Sequence, residues 1–174
     1  MPDTTPQHQP AMLRNNKVIA GLLCWFAFAA AQAQDEMLTV TGSIMGHTDG
    51  HTNSYVFSEN DLFALGQHII KTSTSWTPES SFTGPRLSVV LSKAGAIGTH
   101  VEVHTLDDYT YTISVDEADR YGAILAHTMN GKKLQVSDFG PLFLIYPRDQ
   151  YPHELRTPVA EAKFIWQIRK LIVK

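Results

Sequence analysis

The chain has 174 residues, a formal net charge of −3 and one cysteine, Cys24. No stretch concentrates charges of one sign, so we do not expect a surface that holds a nucleic-acid backbone. A lone cysteine excludes an intramolecular disulfide and a metal site built from several thiolates.

The N-terminal segment has the composition of a secretory signal. Two cations precede an apolar run over 18–31, and Ala31-Gln32-Ala33 fits a cleavage site. The run is shorter than the ~20 residues that span a bilayer, which favours cleavage over a permanent anchor. Lipidation of Cys24 is the less favoured alternative, because the apolar run continues beyond it. We therefore expect a signal peptide at 1–33 and one exported domain at 34–174, with no membrane insertion after cleavage.

The domain begins with patterns of a strand and a short helix. Residues 38–44 alternate apolar and polar side chains, as a strand with one buried face does. Ser58 is followed three residues later by Asp61, a pattern that caps a helix, and Gly66 ends that helix. Residues 67–75 again favour a strand.

The next segment predicts a loop and a second short helix. The loop holds Trp76, Pro78 and Phe82. Apolar residues then repeat at helical spacing over 87–91, until Gly95 ends the helix.

The second half of the domain predicts mostly strands. Two alternating runs form a hairpin around Asp107-Asp108, and a helical turn follows it. Asn130-Gly131 favours a second tight hairpin, because both residues accept a positive φ. The predicted elements are strands at 101–105 and 109–115, a helical turn at 116–121, hairpin arms at 124–129 and 134–136, a buried strand at 142–146 and a last strand at 164–173.

Several short motifs follow one another along the chain: Trp76-Thr77-Pro78, Phe82-x-Gly84-Pro85, Leu106-Asp107-Asp108-Tyr109, Asp119-Arg120-Tyr121, Met129-Asn130-Gly131-Lys132, Gly140-Pro141-Leu142, Ile145-Tyr146-Pro147-Arg148-Asp149 and Ile165-Trp166-Gln167. By their order and spacing, the chain from about Lys71 onward resembles the molybdopterin-binding domain of the sulfite oxidase superfamily. It is most similar to the small exported pterin-binding regulators of that superfamily. The resemblance implies a single α+β domain with mixed sheets and short helices.

Two departures from the family pattern concern the metal and the phosphate. The molybdenum enzymes carry a metal-binding cysteine a few residues before the tryptophan, and this chain has Thr72 at our best match to that place. A hydroxyl cannot replace a soft thiolate on a redox metal. The histidine and arginine that help hold the cofactor phosphate correspond to Phe139 and Phe143, which we expect in the core. These departures imply a pterin ligand without molybdenum, no metal site and no catalytic residue.

The resemblance also implies which side chains contact the ligand. A flat pterin ring can stack on Trp76 or Tyr146, and its amino-pyrimidine edge can donate paired hydrogen bonds to a carboxylate. Hydroxyl groups can bond to the ring oxygen or to a ligand side chain. The predicted ligand-binding residues are Thr72, Ser73, Ser75, Trp76, Asp108, Tyr109, Tyr146, Arg148 and Asp149.

Several of these residues also have a purely structural interpretation. Trp76 would then cover the core, and Asp108 would only form the hairpin turn. Arg148 and Asp149 would make a surface ion pair. The sequence leaves both interpretations open.

Histidines and serines offer weaker alternatives. His100 and His104 lie four residues apart on a predicted strand, which is too far for convenient binding of one metal ion. His47 and His51 share a loop but have no evident third ligand. The serines lack the context of a nucleophile elbow, so we do not expect a hydrolase.

The expected function is that of a non-catalytic periplasmic pterin-binding protein. The resemblance implies that it regulates the periplasmic domain of a membrane-bound signalling protein, with cyclic-di-GMP turnover and biofilm formation as the process affected. Two alternatives stay open. One is a molybdopterin-dependent oxidoreductase or its accessory protein, and the other is an interaction module with a vestigial pocket.

Overall fold

The computed structural model of the chain describes Met1, residues 36–48 and residues 53–174. Apart from Met1, the predicted signal peptide with Cys24 lies outside the described residues, as does His51, so the expectations about them stay predictions. The chain divides into the units Met1–Gln32 and Ala33–Lys174, and all that follows concerns the second unit. None of its described helices has the length and apolar character needed to cross a membrane.

The second unit consists of many strands and five short helices among the described residues. In chain order they are β1 (Glu36–Gly42), β2 (Ser54–Ser58), α1 (Glu59–Ala64), β3 (Gln67–Thr72), β4 (Ser80–Pro85), α2 (Leu87–Lys93), β5 (His100–Thr105), β6 (Thr110–Ser114), α3 (Val115–Arg120), β7 (Ile124–Ala126), β8 (Thr128–Met129), β9 (Lys132–Lys133), β10 (Phe143–Ile145), α4 (Pro152–Leu155), α5 (Pro158–Glu161) and β11 (Ile168–Val173).

The strands form three sheets. The largest has the order β2-β1-β11-β5-β6, in which β1 and β11 are parallel and the other neighbours antiparallel. A second sheet has the order β3-β4-β8-β9, and β10 pairs with β7 in a third. Mixed sheets with short helices in one small domain confirm the predicted α+β class.

A continuous apolar core lies between these elements. It includes fully buried residues of the large sheet, of the second sheet and of the β7–β10 pair, among them Leu38, Val103, Leu171, Phe82, Leu125, Phe143 and Leu144. Phe139 stacks on Phe143 with ring centroids 5.2 Å apart. Phe143 is fully buried and belongs to the core as predicted, whereas Phe139 is only partly buried and packs against the core.

Local sequence determines the start of α1. The N–H of Asp61 donates to Oγ of Ser58 (3.2 Å), and the N–H of Ser58 donates to Oδ2 of Asp61 (2.9 Å). This reciprocal capping satisfies two main-chain donors and confirms the predicted helix. Hydrogen bonds from Ser58 also hold the pKa of the Asp61 carboxyl below its usual range.

The prediction of a loop through Phe82 was wrong, because this residue lies fully buried in strand β4. The segment is rich in Ser, Thr, Gly and Pro, which favour loops locally. Pairing with β3 on one side and β8 on the other overrides that tendency. Gly84 permits the close packing of β4 on β7, since a Cβ there would lie 1.9 Å from the carbonyl oxygen of Leu125.

The predicted second hairpin is present with a different outer arm. Asn130 and Gly131 have φ values of 52° and 74°, as a tight turn requires. The arms are β8 and the two-residue strand β9, whereas the sequence placed the outer arm at 134–136. Instead, the N–H of Leu134 donates to the carbonyl oxygen of His127 (2.9 Å). The side chain of Leu134 is buried in the core. Strand β2 and helices α4 and α5 were not predicted.

Candidate functional site

A cavity of about 290 Å³ opens between the loop that follows β3, the β5–β6 turn and the segment that precedes β11. This volume lies just below the range of roughly 300–1,000 Å³ for small-molecule pockets, which suits a small flat ligand. The wall is mostly aromatic and apolar. Its residues are Trp76, Thr105, Asp107, Tyr109, Ala162, Phe164, Ile165 and Trp166.

Two tryptophans meet at this cavity. The indole rings of Trp76 and Trp166 are edge to face, with centroids 4.5 Å apart and an interplanar angle of 70°. Trp166 also packs against Phe139 and Phe143, at 5.9 and 6.1 Å between centroids. Trp76 is 46% exposed. One ring is thus fixed by the core, and the other is free to contact a ligand.

A hydroxyl-based turn positions Trp76. The hydroxyl oxygen of Thr74 accepts hydrogen bonds from the N–H groups of Trp76 (3.1 Å) and Thr77 (3.0 Å). The N–H of Thr74 donates to the carbonyl oxygen of Thr77 (3.1 Å), and the two threonine hydroxyls are 2.9 Å apart. Local side-chain bonds of this kind hold a turn in one conformation.

Asp107 supplies the one charged side chain of the cavity wall. The hydroxyl of Thr105 donates to its carboxylate, and so does the N–H of Tyr109 (3.4 Å). These two hydrogen bonds, the one from Thr105 being the stronger, lower the pKa of the Asp107 carboxyl. The cavity therefore presents an ionised hydrogen-bond acceptor next to aromatic rings.

The neighbouring Asp108, which the sequence proposed as a ligand-binding residue, points elsewhere. It has a φ of 62°, and its side chain is 85% exposed and pairs with Arg169 (2.8 Å). The left-handed conformation at Asp108 turns the chain and leaves Asp107 on the cavity side. Alternation along the hairpin cannot tell these two carboxylates apart, because the bend falls between them.

Tyr109 lies in the wall, as the sequence predicts for a ligand-binding residue, and it is 46% exposed. Burial of part of its ring raises the pKa of the phenol, so the hydroxyl stays protonated at neutral pH. It can therefore donate a hydrogen bond to a ligand oxygen.

Tyr146, the second predicted stacking residue, lies behind the wall. It is fully buried and packs edge to face on Phe164 and Tyr121, at 5.9 and 6.5 Å between centroids. Burial raises the pKa of its hydroxyl, which has no hydrogen-bond partner among the described residues. The structure does not bring Tyr146 to the cavity.

Three further predicted residues form one hydrogen-bonded cluster beside β3. Asp149 accepts from the N–H (2.7 Å) and hydroxyl (3.1 Å) of Ser73 and from Arg156 (2.6 Å), while its own N–H donates to the hydroxyl of the buried Thr72 (3.1 Å). Burial raises the pKa of Asp149, but the bonds from Arg156 and Ser73 outweigh it and lower the pKa overall. These groups form hydrogen bonds with one another and lie outside the cavity wall.

The last two predicted residues meet at Glu161. Arg148 forms an ion pair with this carboxylate (2.9 Å), and the Ser75 hydroxyl donates to its other oxygen. Ser75 precedes Trp76, and Glu161 precedes Ala162 of the wall. The contact therefore joins two sides of the cavity.

The sequence did not single out Asp107 and Trp166, which the structure places in the cavity wall. Both belong to motifs that carry the family resemblance, and that membership was the only available signal. Their position in the wall depends on which strands become neighbours: Trp166 precedes β11, which pairs with β5 next to the turn that holds Asp107.

The described residues do not fit a thiolate-bound, phosphorylated molybdenum cofactor. The only cysteine of the sequence is Cys24, and the hydroxyl of Thr72 is already hydrogen-bonded to Asp149. No cation lines the cavity wall to hold a phosphate. Among the described residues, no group of three or more His, Cys, Asp or Glu is placed to hold a metal ion. His100 is exposed, and His104 contacts Glu102 (2.6 Å).

Comparison with known proteins agrees with this fold. Among solved structures, the chain is similar to the sulfane dehydrogenase SoxCD from Paracoccus pantotrophus, with a TM-score of 0.58 and 17% identity over 80% of this chain and 38% of that chain. The chain thus spans less than half the length of that protein, and the likeness is one of fold. No curated protein sequence matches the chain. The model of the oxidoreductase molybdopterin-binding domain matches residues 57–150, more than half of the sequence, and the chain belongs to that family.

Proposed function

We propose that the chain binds a pterin in the cavity between Trp76, Tyr109 and Trp166, without a molybdenum ion and without catalysis. One observation carries the proposal: the cavity of a molybdopterin-binding domain here combines stacking rings with one ionised carboxylate, Asp107, and no thiolate. This combination suits the organic part of the family's cofactor and lacks the ligand for the metal.

The side chains of the wall can contact both the flat face and the hydrogen-bonding edge of a pterin ring. A pterin ring can pack against the exposed face of Trp76, an interaction worth roughly 0.5–1.5 kcal/mol for each aromatic pair. Its adjacent N–H groups can donate to Asp107 as a charge-assisted pair. The phenol of Tyr109 can donate to an oxygen of the ring or of a side chain.

We further propose that the protein is periplasmic and regulates the periplasmic domain of a membrane-bound signalling protein, with cyclic-di-GMP turnover as the affected process. The signal-like pattern at 1–33 and the resemblance to exported pterin-binding regulators support this part. A ligand can change a partner's state only if it binds two conformations with different affinity. The segment Ser73–Trp76 is suited to such a change, since it contacts Asp149, Glu161 and the cavity.

Tryptophan fluorescence tests ligand binding directly. If residues 1–33 are removed on export, the only remaining tryptophans are Trp76 and Trp166. Both line the cavity. Titration of the exported protein with unsubstituted pterin is expected to give saturable quenching, and Trp76→Phe and Trp166→Phe each leave one reporter. Calorimetry on the same samples excludes optical artefacts. Absence of saturable binding in both measurements would refute the proposal.

A further inference from the structure

The two larger sheets have four outer strands, and three of these are closed or blunted. The edge of β2 is covered by Thr48, whose N–H donates to the Ser54 carbonyl oxygen (3.1 Å) and whose hydroxyl accepts from the N–H of Val56 (2.7 Å). Strand β3 carries His68 and Lys71, and β9 consists of two lysines. Charges, short length and covering are the usual means by which proteins prevent strand addition.

Strand β6 has none of these protections among the described residues. Its sequence Thr110–Ser114 contains no charged residue, glycine or proline, and it pairs only with β5. The side chains of Thr110 and Thr112 are exposed, whereas Ile113 lies in the core. The strand is thus a regular edge with a β-prone composition.

The hydrogen-bond register shows which main-chain groups of β6 face outward. The N–H of Thr105 donates to the carbonyl oxygen of Tyr109 (3.1 Å), and that of Val115 donates to the oxygen of Thr99 (3.0 Å). Bonded pairs alternate with non-bonded pairs in an antiparallel ladder. The uniform register between these two points places the main-chain N–H and C=O groups of the two β6 threonines away from β5.

The turn before β6 carries one unbalanced negative charge. Asp108 is paired with Arg169. Asp107 accepts hydrogen bonds from Thr105 and Tyr109 but has no cationic partner among the described residues.

The helix after β6 also carries one unbalanced negative charge. Helix α3 contains three acidic residues, Asp116, Glu117 and Asp119, and one cation, Arg120. Lys163, outside the helix, forms an ion pair with Glu117. One negative charge of the helix is therefore not balanced. A strand added along β6 would therefore meet negative charge at both of its ends.

We propose that the β6 edge is a docking site for an extended segment of a partner protein that carries basic residues at its two ends. Main-chain hydrogen bonds to β6 supply affinity in this mode, and the flanking charges supply specificity. A second copy of this chain fits less well. Antiparallel pairing of two β6 strands would place the acidic turn of each copy beside the acidic α3 of the other.

This inference rests on the part of the proposed function that gives the chain a protein partner, and it does not depend on the pterin. It names the kind of segment that such a partner presents. The two sites are close in sequence, since Tyr109 of the cavity wall immediately precedes β6.

A short synthetic peptide of alternating threonine and valine, with lysines at both ends, tests the proposal on the full exported protein. Saturable binding is expected by calorimetry. Thr112→Pro should weaken it about tenfold or more, because proline removes an outward N–H without touching the ladder to β5. Thr112→Arg is the second variant, for use if Thr112→Pro does not fold. Its positive charge should repel the lysines of the peptide and weaken binding. Ser137→Arg, at another exposed position, is the matched control.

Four outcomes contradict the proposal: no binding of the lysine peptide, equal binding of a peptide with glutamates at its ends, equal loss in the Ser137 control, or self-association of the unliganded chain that Thr112→Pro abolishes. The last outcome would assign the edge to a second copy. Pterin titration of the same variants should be unchanged, so failure of the docking site and failure of ligand binding are distinguished.

Discussion

Trp76 and Trp166 are ninety residues apart in sequence, yet their rings meet edge to face with centroids 4.5 Å apart. The contact joins the turn after β3 to the segment that leads into β11. Removal of either ring should open the cavity on one side and leave the rest of the wall in place.

We therefore expect Trp76→Ala to weaken pterin binding by about tenfold, since stacking and the associated burial are lost. The fold should be retained, because the ring is half exposed and lies outside the core. Calorimetry with unsubstituted pterin measures the affinity, and Tyr151→Ala, a similarly exposed aromatic outside the wall, is the control. Unchanged affinity of Trp76→Ala would remove this residue from the site.

Asp107→Asn and Asp108→Asn form a matched pair of substitutions. Asp107→Asn should weaken pterin binding by about tenfold because it replaces an ionised acceptor by a neutral amide. Asp108→Asn should leave binding unchanged, since that side chain faces solvent and Arg169. The reverse result would show that the turn has been assigned the wrong way round.

The pH dependence of binding follows from the lowered pKa of Asp107. A carboxyl with a lowered pKa stays ionised throughout the neutral and mildly acidic range. Affinity due to Asp107 should therefore be constant there, and it should fall only when the pH drops through this lowered pKa. Titration at several pH values tests this, with Asp107→Asn as the reference that lacks the acidic transition. A transition near neutral pH that Asp107→Asn abolishes would contradict it.

His127 makes the stability of the fold depend on pH. Its Nε2 lies 2.6 Å from the Gln67 side-chain oxygen, its Nδ1 is buried without a partner among the described residues, and burial lowers its pKa. The unfolded chain then binds the proton more readily, so stability should be full above about pH 6.5 and fall as the pH drops below it. Chemical denaturation of wild type and His127→Gln at neutral and mildly acidic pH measures this contribution. Equal pH dependence of the two proteins would exclude His127 as the cause.

Alanine substitutions at two glycines distinguish the energetic cost of lost close packing from that of a disfavoured turn conformation. Gly84→Ala should destabilise the fold by roughly 1–3 kcal/mol or more, because the new Cβ would overlap the carbonyl oxygen of Leu125. Gly131→Ala has open space around it and only a positive φ to accommodate, so about 1 kcal/mol is expected. Denaturant unfolding of both variants provides the comparison. A smaller effect at Gly84 than at Gly131 would show that β4 and β7 can move apart.

Elements that neighbouring residues stabilise could be predicted from the sequence, whereas elements that depend on pairing with distant strands could not. Ser58 and Asp61 cap α1 through bonds within one turn, and Asn130-Gly131 forms its own hairpin. Strand β4 exists because β3 and β8 pair with it, which no local pattern around Phe82 shows. The site divides in the same way: Trp76 and Tyr109 lie in the wall as expected. The choice of Asp107 over Asp108 depends on the φ of one residue.

Native mass spectrometry of the exported protein after incubation with unsubstituted pterin tests the central claim most directly. We predict one added pterin mass per chain, without the isotope pattern of molybdenum, and loss of that addition in Trp76→Ala. A species that carries molybdenum with a phosphorylated pterin, or no pterin addition at any concentration, would contradict the account.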